Sequence, residues 1–100
     1  MVEIKWSKQA VEDIYSIKEY YSNFSNSYSF QLIDQIFQKA EILIKFPEIG
    51  RIIPELNNQS IRELIFKNFR IIYAIHDLNR ITILTVHSSS KPLSNLSLFD

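Results

Sequence analysis

The stretch Ile61–His87, IRELIFKNFRIIYAIHDLNRITILTVH, decides the fold. It is rich in β-branched and aromatic residues and is broken at Lys67-Asn68 and across Asp77–Arg80, so it reads as a meander of three short strands. Lys67-Asn68 and Leu78-Asn79 stand where two-residue turns centre two consecutive hairpins. Pairing Asp77 with Arg80 sets His76 opposite Ile81 and Arg70 opposite His87. Pairing Phe66 with Phe69 sets Ile65 opposite Arg70 and Glu63 opposite Ile72. Residues directly opposite in an antiparallel ladder share a face. One face then carries Leu64, Phe66, Phe69, Ile71, Tyr73, Ile75, Leu84 and Val86, interrupted by Arg62 and Thr82, and is the core side. The other carries Arg70, His87 and Glu63 with Ile61, Ile65, Ile72 and Ile83. That is too much apolar surface to stay wet without a partner or a covering element. One residue more in either turn would flip the assignment.

Working back toward the N-terminus, Val2–Trp6 alternates apolar and polar and reads as a strand. Ser7 is a helix N-cap, and Ala10, Ile14, Ile17 and Tyr21 recur at helical spacing, with Val11 widening the stripe. Glu12 and Asp13 suit the positive end of the helix dipole. The run Ser22–Ser29 reads as a connection with capping serines. A second helix follows, with Phe30, Ile33, Phe37, Ala40 and Ile44 as its buried stripe, flanked by Ile36 and Leu43. Phe46-Pro47 ends it, because the residue before proline is pushed out of the helical region. Gly50, the only glycine, marks a turn with positive φ, and Pro54–Ser60 reads as a polar loop. The order is β-α-α-β-β-β, an α+β fold with a helix hairpin packed on a small, mostly antiparallel sheet.

The 100 residues make one domain, 46% hydrophobic and 13% aromatic, which excludes disorder. The serine-rich end, 93–100, reads as a flexible tail. With no cysteine, disulfides and thiolate metal sites are excluded. No long apolar run or leader pattern is present, so a soluble, cytoplasmic protein without membrane contact is expected. Eleven basic and eleven acidic residues cancel, which argues against affinity driven by nucleic-acid phosphates. The charge is uneven: from Arg51 onward six Lys/Arg face four acids, against five and seven before it.

Several segments together resemble the RelE/ParE superfamily of toxins from type II toxin-antitoxin modules, over nearly the whole chain. They are S-x-x-A-x-x-D-I at Ser7–Ile14, F-P-E-I-G-R at Phe46–Arg51, I-R-E-L at Ile61–Leu64, N-F-R-I-I-Y-A-I at Asn68–Ile75 and I-L-T-V-H at Ile83–His87. The resemblance implies a toxin held inactive in a hetero-oligomer by a cognate antitoxin that wraps the helix hairpin and the sheet. It also implies one of two targets. RelE-like members cleave mRNA on the ribosome with basic residues on the sheet and an acid-base group. ParE-like members lack that set and act on DNA gyrase by protein contact. Arg70 matches the central-strand arginine of both branches. Where the nucleases place lysines, however, this chain has Ile61, Glu63 and Ile65, and after the last strand it has Ser88-Ser89-Ser90. His87 and Lys91 match loosely a pattern of ParE-like chains. The ParE-like branch is therefore favoured.

Each candidate residue has a chemical and a structural reading. Arg70 beside His87 could stabilise a pentacoordinate phosphate while the imidazole moves protons, with Glu63 or Glu55 as base. Alternatively, Arg70 pairs with Glu63 and His87 caps the sheet edge. The two histidines lie six ladder rows apart, about 20 Å, so they share no metal, and neither metal nor cofactor is expected. Arg62 is expected at the sheet edge or paired with a helix acid such as Glu41, and Tyr73 in the core. Ile61, Ile65, Ile72 and Ile83 form the expected antitoxin-binding face.

Overall fold

The computed structural model describes residues 2–88; Ser88, expected after the last strand, is its final residue, and Ser89, Ser90, Lys91 and the expected 93–100 tail lie outside the described residues. The elements run β1 (Glu3–Trp6), α1 (Lys8–Ser22), α2 (Asn26–Lys45), β2 (Arg51–Ile52), β3 (Ile61–Phe66), β4 (Phe69–Asp77) and β5 (Arg80–Ser88). They form one five-stranded sheet in the order β1-β5-β4-β3-β2, parallel only between β1 and β5. The sequence reading has no counterpart for β2, a two-residue strand of too few positions to show any period.

Both helices start as their serines dictate. Ser7 Oγ accepts the Ala10 N–H at 3.0 Å, and Ser25 Oγ accepts that of Tyr28 at 3.2 Å, each cap worth about 1 kcal/mol. The second cap shortens the connection to Asn23–Ser25, so the expected loop to Ser29 is largely the first turn of α2. The buried stripe of α2 is also rotated by about one residue from the expected one. It runs Ser29, Leu32, Ile36, Ala40 and Leu43, leaving Phe30, Phe37 and Ile44 largely on the surface. Both stripes have helical period. The smaller side chains win the inner position because Ser29, whose Oγ donates to the Lys18 carbonyl at 2.8 Å, lets α1 and α2 approach closely. Phe37 instead packs edge-on against Trp6, ring centroids 4.7 Å apart.

The hairpin registers are as expected at their ends: Phe66 pairs with Phe69, Arg70 with His87 and Asp77 with Arg80. Between them the β4–β5 ladder shifts twice, once between Ile75 and Asp77 and once between Ile72 and Tyr73. The first shift leaves His76 as the extra residue of β4 and turns Ile81 and Ile83 toward the helices, with Thr82 outward opposite Ala74. The second makes Leu84 the extra residue of β5 and restores the original register. Ile83 is therefore fully buried in the main core, and Leu84 lies on the outer face with Ile61 and Ile72. This reverses the two expected assignments and removes Thr82 from the apolar side.

The bulge at Leu84 is held from α1. Ser7 Oγ donates to the Leu84 carbonyl at 2.8 Å, the Val86 N–H donates to Asp13 Oδ2 at 3.0 Å, and Thr85 Oγ1 bonds the same carboxylate oxygen. Asp13 thus serves β5 rather than the helix dipole, and it occupies backbone that β1 is too short to pair.

Gly50 has no positive φ. Its reason is space: a Cβ there would lie 2.5 Å from Tyr73 Oη and 2.8 Å from the Glu63 carbonyl oxygen. The Gly50 N–H donates to Tyr73 Oη at 2.9 Å, and that hydroxyl donates to the Pro47 carbonyl at 2.8 Å, which fixes the turn between α2 and β2.

Gly50→Ala is expected to cost about 1–3 kcal/mol by overpacking, because the Glu63 carbonyl cannot swing away. Tyr73→Phe is expected to cost a similar 1–3 kcal/mol by orphaning the buried Gly50 N–H. Burial raises the Tyr73 phenol above its ordinary value. Its contribution is thus complete below the unfolded phenol pKa and lost as pH rises through the folded one. Urea titrations between neutral and alkaline pH should show a shallower alkaline loss in Tyr73→Phe than in the parent chain.

Candidate functional site

Antiparallel pairing brings Glu63, Arg70 and His87 side by side on the outer face, through Glu63 with Ile72, Ile65 with Arg70 and Arg70 with His87. The arrangement is a closed ion cluster. Arg70 Nε and Nη2 grip the two oxygens of Glu63 at 2.6 Å each, a bidentate fork on a carboxylate with no solvent exposure. Arg51 reaches the same carboxylate with Nε at 3.3 Å from β2. The remaining arm, Arg70 Nη1, meets Glu55 Oε2 at 3.4 Å, and the Glu55 side chain is 52% exposed. Hydrogen bonding to Glu63 pushes Arg70 further above its ordinary pKa, against the opposing pull of burial. Glu55 is held below the usual carboxylate range, first by the N–H of its own residue and, against the opposing pull of desolvation, by Arg70 and Arg51. His87 is buried opposite Arg70, 6% exposed.

Two guanidinium groups and two carboxylates thus neutralise each other. The guanidinium that would clamp a phosphate has all its forks turned to carboxylates, two of them inside the protein. His76 is far from this cluster, at the other end of β4, bonded to Thr82 Oγ1 at 2.8 Å. Among the described residues no group of three or more His, Cys, Asp or Glu could hold a metal, and no helix is long and apolar enough to cross a membrane.

Of the four isoleucines expected to meet an antitoxin, only Ile65 is on the surface, 49% exposed. Ile83 lies under the helices. Ile61 and Ile72 are covered by the chain itself: the loop after β2 folds back so that Ile53, fully buried, and Leu56 pack on them. The loop turns at Asn57, φ 48°, and sends Glu55 to Arg70 on the way. In sequence, Ile53 and Leu56 stand at spacing three within a polar run, a weak signal that a covering segment was present. Arg62 is not paired with Glu41. Its Nη1 donates to the carbonyls of Glu48 and Gly50 at 3.2 and 3.1 Å, tying the turn that Tyr73 also holds.

The description "ParE toxin of type II toxin-antitoxin system, parDE" matches residues 4–92. The chain belongs to the ParE toxin family. A solved structure titled "Chromosomal ParDE TA system from P. aeruginosa" superposes with a TM-score of 0.74 at 19% identity, covering 88% of this chain and 96% of that one. At that identity it supports the shared fold. No curated protein sequence matches the chain. The α+β fold expected from the order of the elements is the fold observed, with β2 added.

Arg70→Ala should cost about 3–5 kcal/mol, because it strands the Glu63 carboxylate in a dry site. The double replacement Glu63→Met with Arg70→Met should recover most of that loss in urea unfolding at neutral pH. Glu55 contributes above its unfolded pKa and loses its contribution as pH falls through the lower, folded value. Glu55→Gln should therefore flatten the acid limb of the stability profile.

Proposed function

We propose that this ParE-family toxin stops growth by binding a protein target, DNA gyrase, and that a cognate antitoxin neutralises it in a cytoplasmic hetero-oligomer. The observation that carries the protein-target reading is the occupation of Arg70. A ribosome-dependent endonuclease needs cations free to hold the mRNA phosphate and an acid-base group able to reach the 2′-hydroxyl. Here the Arg70 guanidinium is filled by Glu63 and Glu55, and Ile61, Glu63 and Ile65 stand along β3 where a cationic clamp would be. His87 is 6% exposed. A phosphodiester approaching Arg70 meets the half-exposed Glu55 carboxylate on its free side.

The helix hairpin has the opposite character. Tyr15, Tyr20, Phe24 and Phe30 are 59–75% exposed, and Tyr20 packs edge-on against Tyr21 and tilted against Phe24, ring centroids 5.0 and 5.6 Å apart. Aromatic side chains of this kind supply contact area in protein interfaces. The membership of the family and the ParDE title of the structural neighbour support an antitoxin as the second partner.

Pulse-labelling of new DNA and new protein, within minutes of inducing this chain alone in bacteria, tests the target. DNA synthesis is expected to fall first, with translation following later, and His87→Gln is expected to leave this order and the growth arrest unchanged. Translation failing first, with protection by His87→Gln, would replace the proposal with mRNA cleavage at this site.

A further inference from the structure

The N-terminal strand β1 has one side without a neighbour. The Glu3 N–H donates to the Asn79 carbonyl at 2.7 Å and the Ser7 N–H to the Ile83 carbonyl at 3.0 Å, so Glu3, Lys5 and Ser7 turn their main-chain groups toward β5. Alternation turns those of Ile4 and Trp6 the other way. Among the described residues no strand pairs with that side, because β1 ends the sheet order. The side chains alternate as well. Val2, Ile4 and Trp6 pack against the main core, while Glu3 and Lys5 stand on the outer face with side chains 63% and 75% exposed. Their mutual ion pair is long, at 3.8 Å, and an exposed pair of that kind holds its members weakly. Of their neighbours on β5, Arg80 lies beside Glu3 with its Nε spent on Asp77 at 2.8 Å, and Thr82 lies beside Lys5. Both charges are therefore able to change partner.

An unpaired edge is a template for another strand, and the order of charges along this one selects which strand fits. When two copies pair edge to edge and antiparallel, a two-fold axis through Ile4 sets Ile4 of each copy opposite the other, with their outward main-chain groups bonded. The same axis sets Val2 opposite Trp6 on the helix side and Glu3 opposite Lys5 on the outer face, each pair occurring again by symmetry. Opposite charges then meet across the seam. An axis one residue either way would set Lys5 on Lys5 or Glu3 on Glu3, and like charges directly opposite repel. On the helix side, Trp6 packs edge-on against Phe37, which is 40% exposed, so apolar surface backs the seam.

We propose that this chain forms a homodimer by pairing β1 with β1 of a second copy, antiparallel about Ile4, so that the two sheets run on as one. The strand has four residues, and a seam that short suits a dimer that forms and dissociates with concentration. It leaves the ion cluster untouched, because β1 and β2 stand at opposite ends of the sheet.

The test is sedimentation equilibrium of the untagged full chain across the micromolar to millimolar range, with backbone amide exchange read on the same samples. The apparent mass should rise from one chain to two. The Ile4 and Trp6 amides should exchange about tenfold slower at the high end, while that of Lys5, already bonded to β5, changes little. Lys5→Glu alone and Glu3→Lys alone should each weaken association about tenfold, since each change acts twice across the axis. Both positions are exposed, so far-ultraviolet circular dichroism should show an intact fold. Mixing the two variants should restore a dimer containing one copy of each, because every outer pair is then again of opposite charge. A chain that stays monomeric throughout would overturn the proposal. So would a dimer that neither substitution weakens, or a loss that mixing fails to restore. Slow exchange at Ile4 and Trp6 in the dilute monomer would mean that another part of the same chain covers this edge, and would overturn it too.

Discussion

A carboxylate with no contact to water sits in the middle of the outer sheet face, and the arrangement of that face follows from keeping it neutral. Glu63 without partners would cost several kcal/mol of lost solvation. Arg70 supplies the fork from the next strand, and Arg51 supplies a second cation from beyond the edge. Arg51 reaches Glu63 only because residues 51–52 pair with β3, so the ion cluster and the two-residue β2 support each other. The loop that leaves β2 then delivers Glu55 to the spare arm of Arg70 and Ile53 and Leu56 to the isoleucines beside it. One buried charge thereby ties together three strands and a loop on the face away from the helices.

What the sequence could and could not reveal follows from how each feature is encoded. Turn positions are written locally, in Lys67-Asn68 and Asp77–Arg80, and they fix both ends of the meander. Arg70 accordingly lies opposite His87, and Glu63 beside Arg70, as expected. The bulges at His76 and Leu84 have no local signature, because each exists only through the partner strand and, for Leu84, through Ser7 and Asp13 more than seventy residues away. They compensate, so register is right at both ends and wrong in between. Thr82 on an apolar face was the visible symptom of the missing shift. In α2 the helix is apolar on two neighbouring stripes, and periodicity alone gave the larger side chains the core. Close packing at Ser29 decided otherwise. Gly50 was assigned to φ because glycine is most often needed there, whereas its neighbour is a tyrosine ring twenty-three positions on.

The same comparison separates the site from its chemistry. Sequence placed an arginine, a histidine and a glutamate on one face, a set compatible with either an ion pair or an acid-base centre. In the structure the guanidinium points at the glutamate and forms the ion pair. Both inner forks of Arg70 are aligned on Glu63 at 2.6 Å, and a fork spent on one carboxylate is unavailable to a phosphate. Net charge carries the same message at larger scale, since the neutral chain lacks the excess of cations by which nucleic-acid binders gather their substrate.

The exposed surface divides correspondingly. Much of the outer sheet face is closed by the chain's own loop, with Ile65 left half exposed. The apolar area left uncovered is concentrated on the helix hairpin, where Phe24, Phe30, Tyr15 and Tyr20 project into solvent. Rotation of α2 by one residue is what puts Phe30 there. A helix with two apolar stripes thus serves the fold with one and presents the other to solvent.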